Sequence, residues 1–409
     1  MISLDRIREA AARIGDVALD TPLLHSRHLS DLTGADVWLK AENLQRTGSF
    51  KVRGATNRVQ LLTPEERARG VVAASAGNHA QGVALAAQTL GVPATICMPI
   101  DASLTKVEST RGYGARIELE GAAFDDALAH ARSLCEREGA VFISPFDDED
   151  VIAGQGTVGL EIMEALPDPD VVIVPCGGGG LTAGVALAVH GIRPETEIVG
   201  VQAAGCAPYA ASLAQGAIEM APSAGTIADG IAVKRPGEIT FPIVREHVAR
   251  MAVVDDEQIA AAMTLLSERQ KLVVEGAGAA GVAALTSGVL GDLAGRRVVV
   301  VLSGGNVDLL LLQGIMRHGL TTAGRYMRFT TRMADRPGAL REFLDILTAE
   351  RVNIVDMFHH RDGTDLGVTD TAVDITVETR DHAHGDHVLA RIREGGYPAE
   401  RMKIGRAHV

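Results

Sequence analysis

The chain has 409 residues, of which 46% are hydrophobic and 22% charged, and its formal net charge is −13. That length suits two or three domains, and that composition excludes a disordered chain. An acidic balance with aromatics at only 3% also excludes a nucleic-acid binder, which needs a basic face and rings on which bases can stack.

The first fifteen residues are charged and amphipathic, with no apolar core of a secretory signal. The four cysteines (Cys97, Cys135, Cys176, Cys206) form no C-x-x-C pair and read as reduced, mostly buried thiols. A cytoplasmic location is expected. Short apolar runs then predict strands at Val37–Ala41, Val71–Ser75, Ala94–Met98, Arg116–Leu119, Val171–Pro175, Ile198–Gln202 and Val298–Leu302. Helical patterns lie between them at Asn78–Leu90, Phe124–Glu138, Thr182–His190 and Asp256–Lys271. Three uncharged stretches (Ala80–Ile100, Val171–Ile192, Ile198–Ile218) are broken by Gly, Pro and polar residues, so no membrane span is expected. The alternation predicts an α/β chain with two doubly wound parallel sheets, whose ligands sit at the carboxyl ends of strands. After the small, polar HGLTTAG stretch the pattern changes. Strand signals at Tyr326–Arg332, Asn353–His360 and Gly367–Glu378, helices after Asp335-Arg336-Pro337-Gly338 and at His384–Glu394, and a short final strand predict a ferredoxin-like domain.

Lysine is scarce: only Lys40, Lys51, Lys106, Lys234, Lys271 and Lys403 among 39 basic residues. Lys51 sits in Thr47-Gly48-Ser49-Phe50-Lys51-Val52-Arg53-Gly54, where Ser49 is expected to cap a helix and place Lys51 in its first turn. The helix dipole and nearby Arg53 would then favour the neutral amine that condenses with carbonyls. Ser75-Ala76-Gly77-Asn78-His79 follows a strand and predicts a turn whose free amides suit a carboxylate. Cys176-Gly177-Gly178-Gly179-Gly180-Leu181 predicts a phosphate cradle, and it fits neither a P-loop nor G-x-G-x-x-G. Ser303-Gly304-Gly305-Asn306 places a hydroxyl at another strand's carboxyl end. Singly, Lys51 also fits a surface lysine, and each turn an ordinary β–α loop. Together, an amine, a phosphate cradle, a carboxylate turn and a hydroxyl match the needs of pyridoxal phosphate.

These motifs resemble those of the threonine ammonia-lyases (threonine dehydratases), pyridoxal-phosphate enzymes of fold type II with a tryptophan-synthase-β-like architecture. Ser49-Phe50-Lys51-Val52-Arg53-Gly54-Ala55 matches the family's lysine motif, which implies that Lys51 carries the cofactor and acts catalytically, with Phe50 packed at the ring. The resemblance implies that Asn78 meets the ring 3-hydroxyl. It implies that Ser75, Ala76, Gly77, Asn78 and His79 hold the substrate carboxylate. Gly177, Gly178, Gly179, Gly180 and Leu181 match the phosphate loop, and Ser303 the serine facing the pyridine nitrogen. A serine there leaves the ring a weaker electron sink than a carboxylate would, which suits β-elimination.

Residues 326–409 resemble an ACT domain. The implied organisation is a catalytic domain over 1–318 (smaller subdomain about 45–150), a linker over 319–325 and the ACT domain. The activity implied is deamination of L-threonine to 2-oxobutanoate and ammonia, and of L-serine to pyruvate. A homodimer or homotetramer is implied, with an amino-acid effector at the ACT domain and allosteric regulation; the pathway role is either isoleucine biosynthesis or threonine catabolism. Ala76 stands where serine racemases of this class carry a second serine, so racemisation is not expected. Gln202-Ala203-Ala204-Gly205-Cys206-Ala207-Pro208 lacks the carboxylates of their metal site, so no divalent metal is expected, and a monovalent ion held by carbonyls is the alternative left open. Two rivals are a β-replacement enzyme of the cysteine synthase type and a catalytically silent ACT sensor. Asp381-His382-Ala383-His384 reads as a polar helix start rather than a metal site. Glu275-Gly276-Ala277 and Asp229-Gly230 either border the site or serve packing.

Overall fold

The computed structural model describes residues 2–222, 224–361 and 366–402. The chain divides into two compact units, Met1–Val307 and Asp308–Val409.

The first unit carries ten strands: β1 (Leu23–His25), β2 (Asp36–Lys40), β3 (Val71–Ala74), β4 (Ala94–Met98), β5 (Arg116–Leu119), β6 (Val141–Phe142), β7 (Val171–Pro175), β8 (Glu197–Ala203), β9 (Arg250–Val254) and β10 (Arg297–Val301). Six form one sheet in the order β1-β2-β10-β7-β8-β9, and four form another in the order β5-β4-β3-β6. Every pairing is parallel except β1 with β2. Central strands such as β7 and β3 are buried along their whole length. Helices cover both faces of a parallel sheet, so such strands read as continuous valine and isoleucine runs. The seven expected strands are present with ends shifted by a residue or so. The short β1 and β6 and the half-exposed β9 carried no such run.

The helix Lys51–Gln60 lies against the helix Glu149–Ala165 almost backbone to backbone. A Cβ on Gly154 would come 2.6 Å from the Cα of Gly54. That contact fixes the lysine helix closely against Glu149–Ala165. The helix expected over Asp256–Lys271 is α-helical only to Leu265 and finishes as a π-turn over Leu266–Gln270.

The second unit opens with a helix, Leu309–Thr322, capped by the Asp308 carboxylate. This corrects the expected organisation. Residues 319–325 include the last turn of that helix rather than forming a free linker, and the first unit closes at Val307 rather than at 318. Gly and Thr cost a helix only about 1 kcal/mol or less each, which a capped, partly packed helix overrides. Four strands follow: β11 (Tyr326–Ala334), β12 (Ile354–His360), β13 (Asp370–Glu378) and β14 (Ala399–Arg401). They form an antiparallel sheet in the order β12-β13-β11-β14, with helices Ala339–Ala349 and His382–Glu394 in the connections. That is the ferredoxin-like order. Asp381 caps the second of these helices by accepting from the His384 amide. Lys403 lies outside the described residues.

Candidate active site

The lysine turn, the asparagine turn and the strand end at Ser303 are stitched together by backbone. Phe50 N–H donates to the Ser303 carbonyl at 3.2 Å, Gly305 N–H to Gly48 at 2.8 Å, and Glu275 N–H to Gly304 at 3.0 Å. Ser49 is not the helix cap. Phe50 already has helical dihedrals and caps without a side-chain bond. The Ser49 hydroxyl, like that of Thr47, is buried without a partner.

Lys51 is the first residue of its helix, and its amine donates to the Pro145 carbonyl at 2.7 Å. Among the described residues it has no ion pair. Its pKa is pushed down to about 8, chiefly by burial, and a negative Glu275 works in the opposite direction. The depressed amine was expected, but for a different reason. Arg53 does not face it, because its guanidinium is held by Glu42 and Glu161.

At the second turn, Gly77 N–H donates to Ser75 Oγ at 3.1 Å, and Asn78 and His79 open the helix Asn78–Leu90. Their amides belong to the first turn, where no helical carbonyl reaches them, and so face an anion. The His79 side chain is not part of that surface. Its Nε2 lies 2.9 Å from the Ile143 carbonyl, and burial, then the Lys51 charge, push its pKa down to about 3. A neutral ring donating to Ile143 is a structural tie, so the contribution of His79 to anion binding is confined to its backbone.

The glycine run joins β7 to the helix Gly180–Ile192. Its bareness is forced by neighbours. A Cβ on Gly178 or Gly180 would meet Phe146, and one on Gly179 would run into the Tyr209 hydroxyl. Gly179 also has φ +94°. The Gly178 carbonyl accepts from Tyr209 Oη at 3.1 Å and Thr240 Oγ1 at 2.8 Å. The Asp147 carboxylate accepts the amides of Ile239 at 2.8 Å and Glu238 at 3.0 Å. Pro145, Phe146 and Asp147 therefore link the lysine amine to the glycine loop, yet no motif marked them, Tyr209 or Thr240. Gln202 bridges the Cys176 carbonyl and the Ala210 amide. Elsewhere, among the described residues, Cys97, Glu118 and His130 are the metal-capable side chains that converge.

A lysine amine shielded from solvent and, among the described residues, without an ion pair, beside a bare loop at a helix start, fits an aldehyde with an anionic tail. Residues 14–304 match the family described as "Pyridoxal-phosphate dependent enzyme". The chain belongs to this family. Pyridoxal phosphate is its cofactor. The chain is 47% identical over 397 residues to the L-threonine ammonia-lyase of Thermotoga maritima, covering 97% of this chain and 98% of that one. The structure of maize serine racemase superposes with a TM-score of 0.74 at 40% identity, covering 78% of this chain and 98% of that one. Processed threonine deaminase isoform 2 of Solanum lycopersicum gives 0.74 at 39% identity, covering 76% and 87%.

Gly179→Ala tests the loop of this pyridoxal-phosphate enzyme. It adds about 1–2 kcal/mol of left-handed strain and about 1–3 kcal/mol of crowding. Cofactor affinity, read by equilibrium dialysis, is expected to fall roughly 30-fold or more, since about 1.4 kcal/mol is tenfold.

Proposed function

We propose that the protein deaminates L-threonine to 2-oxobutanoate and ammonia, and L-serine to pyruvate, as a cytoplasmic homo-oligomer answering to an amino-acid effector. The observation that carries the chemistry is the Lys51 amine, buried, free of any ion pair among the described residues, and held on the Pro145 carbonyl. When bound, the cofactor draws electrons from the substrate's Cα and makes its proton acidic. The residues do the rest. The Ser75–Asn78 turn holds the substrate carboxylate and fixes the face that Cα presents. The Lys51 Nζ, neutral for a useful fraction of the time near pH 8, accepts the Cα proton. Ala76 offers no hydroxyl to return a proton from the opposite face, so elimination is favoured over racemisation.

The second unit supports regulation. A cavity of about 270 Å³ is lined by Asp335, Arg336, Pro337, Gly338, His359 and Arg361, among others. On its wall Arg361 pairs with Asp335 at 3.1 Å and Arg336 with Glu342 at 2.8 Å, ion pairs that an amino acid's carboxylate and ammonium would have to share, with Met333 and Leu340 as apolar lining. The edge strand β12 leaves Phe358 55% and Met357 40% exposed. An uncovered apolar edge supports pairing with a second copy.

The test is direct. The full-length holoenzyme is expected to release 2-oxobutanoate and ammonia in equal amounts from threonine, with a response to branched-chain amino acids that Arg361→Ala removes. Consumption of a β-substituted serine with sulfide, and no oxoacid from threonine, would turn the reading to β-replacement. A protein that responds to the effector but turns over neither substrate would be the silent sensor.

A further inference from the structure

We propose that Glu275 is a positioning residue of the cofactor site: together with Asn306 it locks the Asn78 amide, and so ties cofactor binding to the ionisation of a buried acid. The proposal rests on the cofactor assignment and not on threonine being the substrate.

The geometry is a chain of three side chains. Asn78 Nδ2 donates to Glu275 Oε1 at 2.7 Å, and Asn78 Oδ1 accepts from Asn306 Nδ2 at 2.7 Å. Asn306 spends its other N–H on the Thr47 carbonyl, also at 2.7 Å. One partner of Asn78 only accepts when ionised and the other only donates at that atom, so a single orientation of the Asn78 amide satisfies both. One N–H of Asn78 remains for a ligand, aimed by the other bonds. The backbone is shaped around this chain. Gly48, with φ +70°, has no room for a Cβ because the Asn306 amide lies over it, and a Cβ on Gly304 would overlap Glu275 Oε1. Two glycines on separate loops are thus accounted for by Asn306 and Glu275.

Glu275 is 6% exposed and, among the described residues, has no ion pair. The charged groups that face it are Asp229, Lys106 and Lys51, and Lys106 is paired with Asp229 at 3.0 Å. Burial, then Asp229, push its pKa up to about 7. The Asn78 bond, Lys106 and Lys51 pull the other way. Glu275 in turn favours the charged Lys51 amine. The two groups therefore act on each other, with the Glu275 acid pushed up to about 7 and the Lys51 amine down to about 8. Above both, an ionised Glu275 grips Asn78 and the amine is neutral. Below both, the grip weakens, because a bond to an ionised acceptor is roughly twice as strong as a neutral one.

The experiment is equilibrium dialysis of full-length holoenzyme against pyridoxal phosphate from about pH 6 to about pH 9.5, a window spanning both steps. Thermal unfolding is measured in parallel. In the wild type, log Kd is expected to rise as the pH falls through about 8, where the Lys51 amine takes up its proton, and to gain about one further log unit as Glu275 is protonated through about 7. Glu275→Gln keeps the shape and removes the charge. Its affinity is expected to be about tenfold weaker at high pH, the further rise through about 7 to be absent, and the remaining step to move to lower pH. Asn306→Ala should weaken binding too, yet keep both steps where they are. Glu275→Asp should recover the second step. A Glu275→Gln protein with wild-type affinity and an unmoved profile overturns the proposal. So does a loss of affinity that merely tracks a fall in melting temperature. If Glu275→Gln does not fold, Asn306→Ala and Glu275→Asp decide by the same criteria.

Discussion

Lys51→Ala is expected to lower turnover of threonine by at least ~10,000-fold, since it removes both the covalent anchor and the base. It should do so without harming the fold. Among the described residues the amine makes one hydrogen bond, to Pro145, and no ion pair, and burial outweighs the pull of Glu275 on its charge. Such a group costs stability rather than adding to it. The cofactor-free variant should therefore melt at or above the temperature of the cofactor-free wild type. The same burial sets the pH response. A pKa of about 8 leaves roughly a quarter of the amine neutral at pH 7.5, against about 0.1% for an ordinary lysine. A lowered pKa means the neutral form grows as pH rises through about 8, so cofactor uptake should accelerate across that range and level off above it. Absorbance of the bound cofactor and stopped-flow uptake read both effects. A variant that still turns over at the wild-type rate removes Lys51 from the chemistry.

What the sequence revealed of this site was local. The Ser75–His79 and Cys176–Leu181 turns stand directly between a buried strand and a helix, and a strand–glycine–helix string predicts its own geometry. The opposing wall was hidden because its contacts span long separations. Phe146 meets Gly178, Tyr209 meets Gly179, and Asn306 meets both Thr47 and Asn78. Nothing in the spacing of Phe146 or Tyr209 marks them, and Asn306 stood in a strand-end turn read only for its serine. Ser49 shows a narrower failure. A serine two residues ahead of a helical lysine looks like a cap, but Phe50 has already turned helical. The fold divides in the same way. Strands buried on both faces, such as β7 and β10, announced themselves as valine runs. The edge strands β1 and β9 are short or half-exposed and carry mixed residues. The HGLTTAG stretch was read from residue type alone, whereas the capped helix that runs into it decides its structure.

The largest stability effect is expected at Arg53, two residues beyond the cofactor lysine. Its guanidinium is 1% exposed and bonds Glu42 at 2.8 Å through both Nε and Nη2. It also bonds Glu161, which in turn is paired with the buried Lys40. Two cations and two carboxylates thus share one buried pocket, and their charges cancel. The pocket ties the lysine helix Lys51–Gln60 to the helix Glu149–Ala165 and to β2. Arg53→Met leaves Lys40 to offset Glu161 but strands Glu42, which is fully buried. Removing one member of such a set costs about 3–5 kcal/mol, or roughly 5–8 °C in melting temperature for a unit of this size. Arg53→Lys should recover little, because a point charge cannot bond two carboxylates in one plane. The cost is the stranded charge rather than the lost attraction. Replacing Arg53 and Glu42 together by apolar residues of similar volume should therefore restore much of the stability that Arg53→Met loses. Recovery in the double variant, measured by thermal unfolding, assigns the penalty to the unpaired carboxylate. A double variant as unstable as Arg53→Met would instead make the paired charges themselves the source of the stability.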